Sequence, residues 1–294
     1  MRKLNETIRR VGLIANPEKP KGREAVRRAA TLIRRAGREA FADAPTNRLA
    51  GLKLPELPDA ASLAARCDLL VIFGGDGTTL GVARATVGHS TPILGINLGT
   101  LGFLTAASSN KLSAALKHVW EGTCFVESRS LIQARSDSEQ PHLNEVALND
   151  FVISRGAVPR LIDLEVRVDG ELLTECRSDG FIVSSPTGST AYSLAAGGAV
   201  VSPKANVFAL TPICPHTLSS RSVIVSLDST VEIRLLSDRV ETLLAADGQL
   251  RAQLRGGQWV TFKRGAHQAH LVRLPGASFF GTLREKLNWS GTSL

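Results

Sequence analysis

The chain is poor in aromatic residues: they make up 5% of its 294 residues, with a single tyrosine and three tryptophans. Basic and aromatic residues do not interleave, which argues against a surface that stacks single-stranded bases. The four cysteines, Cys67, Cys124, Cys176 and Cys214, are scattered and form no CxxC pair. That sets aside a zinc site and a disulfide framework and fits free thiols in a reducing compartment. No apolar run reaches the length of a membrane span. The stretch from Met1 to Arg10 is charged and lacks the apolar core and cleavage site of a secretory signal. A cytoplasmic protein with no membrane partner is expected. His267 and His270 have metal-like spacing but lie in a strand pattern without an acidic neighbour, so surface positions are expected. Two common phosphate loops are also missing. The P-loop needs Gly-Lys-Ser/Thr, and residues 71–80 contain no lysine. The dinucleotide fingerprint, counted from Gly75, needs glycine or alanine where Leu80 stands.

What stands in that place organises the chain. Leu69 to Phe73 is an apolar run that enters Gly74-Gly75-Asp76-Gly77-Thr78-Thr79. Such a run bounded by glycine suits a parallel strand covered on both faces. The glycines permit positive φ and close approach to a ligand. Thr78 or Thr79 is placed to cap the next helix, whose N-terminus forms an anion site. Asp76 would repel a phosphate unless a metal bridges them or it takes a proton from a hydroxyl. A tight turn with Asp76 as a cap is the structural alternative.

The net charge is +8. Much of it lies on Arg23, Arg27, Arg28, Arg34, Arg35 and Arg38, on one expected helix. A solvated helix face accounts for this, and no nucleic-acid partner is expected. Val11 to Ala15 reads as a first strand ending in Asn16-Pro17. Arg23 to Arg38 reads as a helix with Val26, Ala29, Ala30 and Ile33 inward. Residues 46–58 read as a loop and Ala60 to Ala65 as a short helix. A helix is expected from about Thr78 to Val87, a buried strand over Pro92 to Ile96, and a helix over Lys111 to Trp120. The second strand ends in another glycine turn, Asn97 to Leu104, at the edge where open α/β sheets bind ligands. From Thr123 to about Leu274 short apolar or alternating runs replace this pattern. Asp169-Gly170, Asp247-Gly248 and Gly256-Gly257 mark hairpins. Many short strands at this spacing indicate a β-sandwich or barrel. Ser278 to Trp289 closes the chain with a helical apolar face. The expected architecture is an α/β domain over residues 1–122 and 275–294, with an all-β domain over 123–274.

Three further polar clusters stand out. Asn149-Asp150 interrupts a strand-like run. An amide beside a carboxylate suits sugar hydroxyls, although a turn with a local side-chain bond is equally consistent. Arg177 to Gly198 ends a strand in small hydroxyl residues, glycine and Tyr192, a surface able to admit a flat base or a sugar. It contains no Gly-x-Ser-x-Gly elbow, which removes the case for a serine nucleophile. In residues 211–221, His216 could act as a ligand or base, or simply hydrogen-bond within a proline turn.

In this order the clusters resemble the NAD kinase family of the bacterial ATP/polyphosphate type. The similarity covers nearly the whole chain. It runs through Asn16-Pro17, Gly74 to Thr78, Asn97 to Leu104, Asn149-Asp150 and Asp179 to Tyr192. It continues in Pro212 to Leu218, Asp247-Gly248-Gln249 and Phe279 to Trp289. Lipid kinases and phosphofructokinases carry similar glycine loops, and the hydroxyl-rich stretch separates them. The resemblance implies an α/β domain with a Rossmann-like, phosphofructokinase-like parallel sheet, a C-terminal β-sandwich, and a last helix that packs back on the first domain. It implies transfer of the ATP γ-phosphoryl group to the 2′-hydroxyl of the adenosine ribose of NAD, with Asp76 as proton acceptor and Mg²⁺ accompanying ATP. It places Gly74, Gly75, Gly77 and Thr78 at the phosphates. Asp76, Gly77, Phe103, Asn149, Asp150, Arg160, Arg177, Asp179, Thr190, Ala191, Tyr192, Ser193, Leu194, Ala195 and Gln249 are placed at NAD. A homo-oligomer, dimer or tetramer, is also implied, with ATP or polyphosphate as donor left open. Two departures, Ser222 where the family often has proline and Ala195 where it often has serine, bear on substrate preference. A lipid kinase of the diacylglycerol/sphingosine type and a non-catalytic NAD(P)-binding sensor are the competing expectations. The sensor predicts loss of the loop carboxylate, yet Asp76 is present.

Overall fold

A computed structural model describes residues 2–4, 8–100, 102–136, 143–217, 219–238 and 240–289. Leu101 and Leu218, which belong to two of the motifs above, lie outside the described residues, as do Met1 and residues 5–7 of the charged N-terminal stretch. The chain forms two compact units, Met1–Arg129 with Gln268–Leu294, and Ser130–His267.

The first unit contains β1 (Arg2–Lys3), β2 (Arg10–Ala15), α1 (Gly22–Arg35), β3 (Glu39–Ala42), α2 (Ala44–Ala50), α3 (Ala60–Arg66), β4 (Leu69–Gly74), α4 (Asp76–Ala85), β5 (Ile93–Asn97), β6 (Ala107–Ser108) and α5 (Leu112–Trp120). β7 (Phe125–Ser136) carries the chain into the second unit. There follow β8 (Asn144–Ala147), β9 (Asp150–Arg155), β10 (Ile162–Val168), β11 (Glu171–Ser178), β12 (Gly180–Ser184), α6 (Tyr192–Ala195), β13 (Val207–Ile213), β14 (Val223–Ser226), β15 (Val231–Leu235), β16 (Thr242–Ala246) and β17 (Gln249–Leu254). β18 (Trp259–Arg273) returns the chain to the first unit, which α7 (Phe279–Lys286) completes.

In the first unit β3, β2, β4 and β5 pair in parallel, in that order. β6 and the end of β18 also pair in parallel with β5. Every residue of β4 is buried, as a central strand covered on both faces requires. Leu69, Val71 and Phe73 join Val26, Ala29, Ala30 and Ile33 of α1 and Leu112, Ala115, Leu116 and Val119 of α5 in one core. On the other face, a Cβ at Gly12 would come 2.7 Å from Leu70 and 3.3 Å from Leu63 of α3.

The expected loop over residues 46–58 proves to begin with a helix, α2. Asp43 caps it by accepting the Thr46 N–H at 2.8 Å, and Gly51 ends it in a left-handed conformation, φ 61°. Asp43 and Gly51 bracket only seven residues, too few for the apolar period to register. The Asn47 side chain then binds both backbone groups of Leu54, at 3.0 and 3.2 Å.

The second unit is a sandwich of antiparallel sheets. One sheet runs β11-β10-β15-β18, and β7 pairs with both β18 and β8. The other runs β14-β13-β12-β9-β16-β17. Alternate residues of both sheets, among them Phe151, Phe181, Phe208, Phe262, Leu164 and Ile233, fill the core between them. Asp169 and Gly170 have φ of 53° and 83°, and Asp247 and Gly248 have φ of 47° and 76°. These are the left-handed pairs of tight hairpin turns.

α7 starts at Ser278, whose Oγ accepts the Gly281 N–H. It buries Leu283 and sets the Phe279 ring 6.2 Å from that of Phe103. All four cysteines are free. Burial pushes the Cys67 thiol up to about 12 and that of Cys124 up to about 11, which makes both poor nucleophiles.

Phe262 is fully buried, and its ring centroid lies 5.5 Å from that of Phe151. Phe262→Ala is expected to lower stability by about 3–5 kcal/mol. Urea denaturation of the full chain checks this.

Candidate active site

Asp76 is the first residue of α4, not a residue before the helix, and Gly75 is the N-cap. Neither threonine caps. Thr79 is buried, and its hydroxyl donates back to the Gly75 carbonyl at 3.3 Å. Nor do the loop glycines take positive φ; Gly75 is extended, with φ −125° and ψ −164°. Only Gly74 is required by close packing. A Cβ on Gly74 would collide with the Thr78 side chain, and one on Gly75 would lie 3.5 Å from the Lys19 ammonium. Gly77 faces open space.

The Asp76 carboxylate is tied to the turn after β5. Oδ2 accepts the Phe103 N–H at 2.9 Å and Oδ1 accepts the Leu104 N–H at 3.1 Å. A Cβ on Gly102 would collide with the carboxylate, so glycine is required there. Asn97 Oδ1 accepts the Gly99 N–H at 2.6 Å, and the Thr105 hydroxyl accepts the Gly102 N–H at 3.0 Å. The Gly74 carbonyl accepts the Leu98 N–H at 3.0 Å. The two glycine turns are therefore one hydrogen-bonded body. A carboxylate with two bonds from N–H groups keeps further lone pairs for a substrate hydroxyl.

In the second unit Asn149 lies at the bend between β8 and β9. The bend is gripped by Asp247, which the sequence marked as a hairpin turn and as part of the Asp247-Gly248-Gln249 motif but not as a partner of Asn149. The Asp247 carboxylate accepts N–H groups from Leu148 at 3.1 Å, Asn149 at 2.7 Å and Asp150 at 3.3 Å. Asp150 is buried. Burial, and then the neighbouring Asp247 carboxylate, push its carboxyl up to about 7. Near neutrality it is divided between an acceptor and a hydroxyl donor.

The hydroxyl-rich stretch binds mostly to itself. Ser185 Oγ donates to the Leu148 carbonyl at 2.6 Å and accepts the N–H groups of Thr187 and Gly188. Ser189 Oγ donates to the Pro186 carbonyl at 2.8 Å and accepts the Val201 N–H at 2.9 Å. A Cβ on Gly188 would collide with the Asn149 carbonyl. Ser193, Thr211 and Ser222 form a hydroxyl chain at 3.1 and 2.8 Å, so the unusual Ser222 has a structural partner. These hydroxyls shape the backbone that carries Thr190, Ala191, Leu194 and Ala195, while Tyr192 is exposed.

Asp179 is half-buried and paired with Arg155, which the sequence did not single out. Arg177 is exposed and lies 3.6 Å from Asp163. Arg160 and Gln249 are exposed, and Gln249 Oε1 accepts from Arg251 at 3.0 Å. The His216 N–H donates to the Arg177 carbonyl at 2.8 Å. His267 is exposed, and His270 Nδ1 lies 3.1 Å from Ser128 Oγ. Among the described residues no group of three or more His, Cys, Asp or Glu could hold a metal ion.

The ATP-NAD kinase N-terminal domain matches residues 11–124, and the ATP-NAD kinase C-terminal domain matches residues 148–274. The NAD kinase of Moorella thermoacetica is 39% identical over 97% of this chain and 91% of its own length. That of Heliobacterium modesticaldum is 38% identical over 94% of this chain and 98% of its own. The chain belongs to the NAD kinase family.

Two solved NAD kinase-family structures share its fold. Yeast NADH kinase complexed with NADH superposes with a TM-score of 0.88 at 26% identity, covering 99% of this chain and 90% of that one. An NAD kinase from Archaeoglobus fulgidus in complex with ATP gives 0.76 at 28% identity, covering 96% and 100%.

Asp150 generates a pH prediction. Its folded carboxyl keeps a proton up to about 7, whereas the unfolded one releases it near the ordinary value of 3.8. Between those values the native state holds more protons, so this group's contribution to stability falls as pH rises and levels off above 7. Asp150→Asn removes that dependence. The stability of the variant relative to wild type should increase from pH 5 to pH 8 in urea denaturation. A constant difference would show that Asp150 does not titrate in this range.

Proposed function

We infer that Asp76 takes the proton from the 2′-hydroxyl of the adenosine ribose of NAD as that oxygen attacks the γ-phosphorus of ATP. As a member of its family the chain phosphorylates NAD. The atom-level role of Asp76 rests on one observation above all: its carboxylate is fixed by two backbone N–H groups at the start of α4, at the carboxyl edge of a parallel sheet. A base held in this way spends little of its freedom on reaching its substrate.

Phosphoryl transfer needs positioning and neutralisation of charge more than covalent chemistry. The Gly74 to Thr78 loop brings bare backbone to the phosphates. Mg²⁺ is read as arriving with the triphosphate, as part of the substrate. The solved relatives bind NADH and ATP, and the same two ligand classes are assigned to this chain, with polyphosphate a further donor to be tested. Asn149 and Asp150 are assigned to ribose hydroxyls. The raised carboxyl of Asp150 lets it donate as well as accept at such a group. Thr190 to Ala195, Asp179, Arg177, Arg160 and Gln249 are assigned to the remainder of NAD, and Phe103 to its neighbourhood. The assignment extends to a cytoplasmic homo-oligomer. No helix among the described residues is long and apolar enough to cross a membrane.

Asp76→Asn is expected to lower kcat for NADP formation by at least about two orders of magnitude while NAD binding persists. Turnover with ATP, Mg²⁺ and NAD, alongside calorimetric NAD binding, tests it. Wild-type turnover in the variant would remove Asp76 from the proton transfer.

A further inference from the structure

Three charged side chains of the first unit, distant in sequence from the glycine loop, form a cluster, and one of them, Arg273, reaches the turn that holds Asp76. Arg273, the last residue of β18, donates from Nη2 to the Phe103 carbonyl at 3.1 Å. Its Nε donates to Glu127 Oε2 at 2.9 Å, and Arg129 donates to the same oxygen at 2.9 Å. These side chains are 14%, 13% and 3% exposed for Arg273, Glu127 and Arg129. Removing such charges from water is costly unless their bonding is nearly complete. Burial works against ionisation of Glu127, but the two guanidiniums outweigh it and hold the carboxyl below its ordinary value.

The peptide group between Phe103 and Leu104 is the meeting point. Its carbonyl oxygen accepts from Arg273, and its N–H, that of Leu104, donates to Asp76 Oδ1. Cation, peptide and carboxylate therefore form one hydrogen-bonded line. A guanidinium on the carbonyl polarises the peptide and strengthens the N–H as a donor, since hydrogen bonds in series reinforce one another. It also fixes the orientation of the peptide plane, which sets where Oδ1 lies. Asp76 itself fixes only the other end of that plane.

We propose that Arg273 is a positioning residue for Asp76, acting through the Phe103–Leu104 peptide group, with Glu127, itself bonded by Arg129, holding Arg273 in place. This role rests on Asp76 being the proton acceptor. A merely structural ion cluster would stabilise the junction of β7 and β18 without acting on Asp76. The two roles differ in their coupling to that residue.

The test is steady-state NADP formation by the full chain carrying Arg273→Gln, Arg273→Lys, Asp76→Asn, or Asp76→Asn with Arg273→Gln, with thermal unfolding of each. Residual NADP is read by enzymatic cycling. Arg273→Gln is expected to lower kcat about 10- to 100-fold, with KM for NAD and ATP held within about twofold. Arg273→Lys should recover part of the loss. In the Asp76→Asn background, Arg273→Gln should cost no further activity, because both changes remove the same contribution. Equal losses in the two backgrounds, or a loss confined to KM, would overturn the role of Arg273 while leaving Asp76 as the base. Wild-type turnover by Asp76→Asn would instead overturn the proton-acceptor assignment and this role with it. Should Arg273→Gln fail to fold, Glu127→Gln leaves Arg273 present but loosened and is read by the same comparison.

Discussion

A carboxylate that accepts backbone N–H groups from a distant turn is the interaction on which each unit depends. In the first, Asp76 begins α4 and receives the N–H groups of Phe103 and Leu104. Successive strands of the parallel sheet release the chain at the same edge, and the carboxylate fastens the two turns there. In the second, Asp247 receives three N–H groups from Leu148, Asn149 and Asp150. Backbone N–H groups at strand ends are left without ladder partners, and a carboxylate satisfies two or three of them at once. The device costs the chain side-chain freedom at its neighbours. Gly102 and Gly188 have no room for a Cβ, because one would strike the Asp76 carboxylate or the Asn149 carbonyl.

The two carboxylates nevertheless do different work. Asp76 keeps lone pairs beyond its two bonds and is half-buried, which leaves it able to accept a further donor. Asp247 is committed to the backbone, and its charge acts on Asp150, which burial has already made harder to ionise. A buried acid that titrates near neutrality can serve a hydroxyl as donor or acceptor. The hydroxyls of Ser185, Ser189 and Ser193 form a further level of support. They look like ligand groups in the sequence, yet their bonds return to the chain that carries them.

Much of the fold was legible because its signals are local. Leu69 to Phe73 is continuously apolar, α1 repeats its apolar residues with helical period, and the Asp-Gly pairs at 169–170 and 247–248 demand left-handed φ. Each of these depends on a few neighbouring residues. α2 was missed because a seven-residue helix capped by Asp43 and Gly51 has no room for an apolar repeat. Capping by Thr78 or Thr79 was misassigned because Gly75 can serve as the N-cap, which brings Asp76 into the helix. Positive φ at the loop glycines was also misassigned: none of them takes it, and at Gly74 the glycine instead makes room for the Thr78 side chain.

The sequence by itself determined the residues of the polar motifs, and that the Gly74 to Thr78 and Asn97 to Leu104 turns follow buried strands. It also carried a parallel-sheet unit and an antiparallel sandwich in its change of period. Only the tertiary structure decided what each of those residues binds. Asp247 meets Asn149 because β16 pairs with β9, and Arg273 meets the Phe103 carbonyl because β18 returns to pair with β5. Hydrogen bonds of this kind join residues about a hundred or more positions apart. Residue order alone does not encode such distances; strand pairing and core packing fix them.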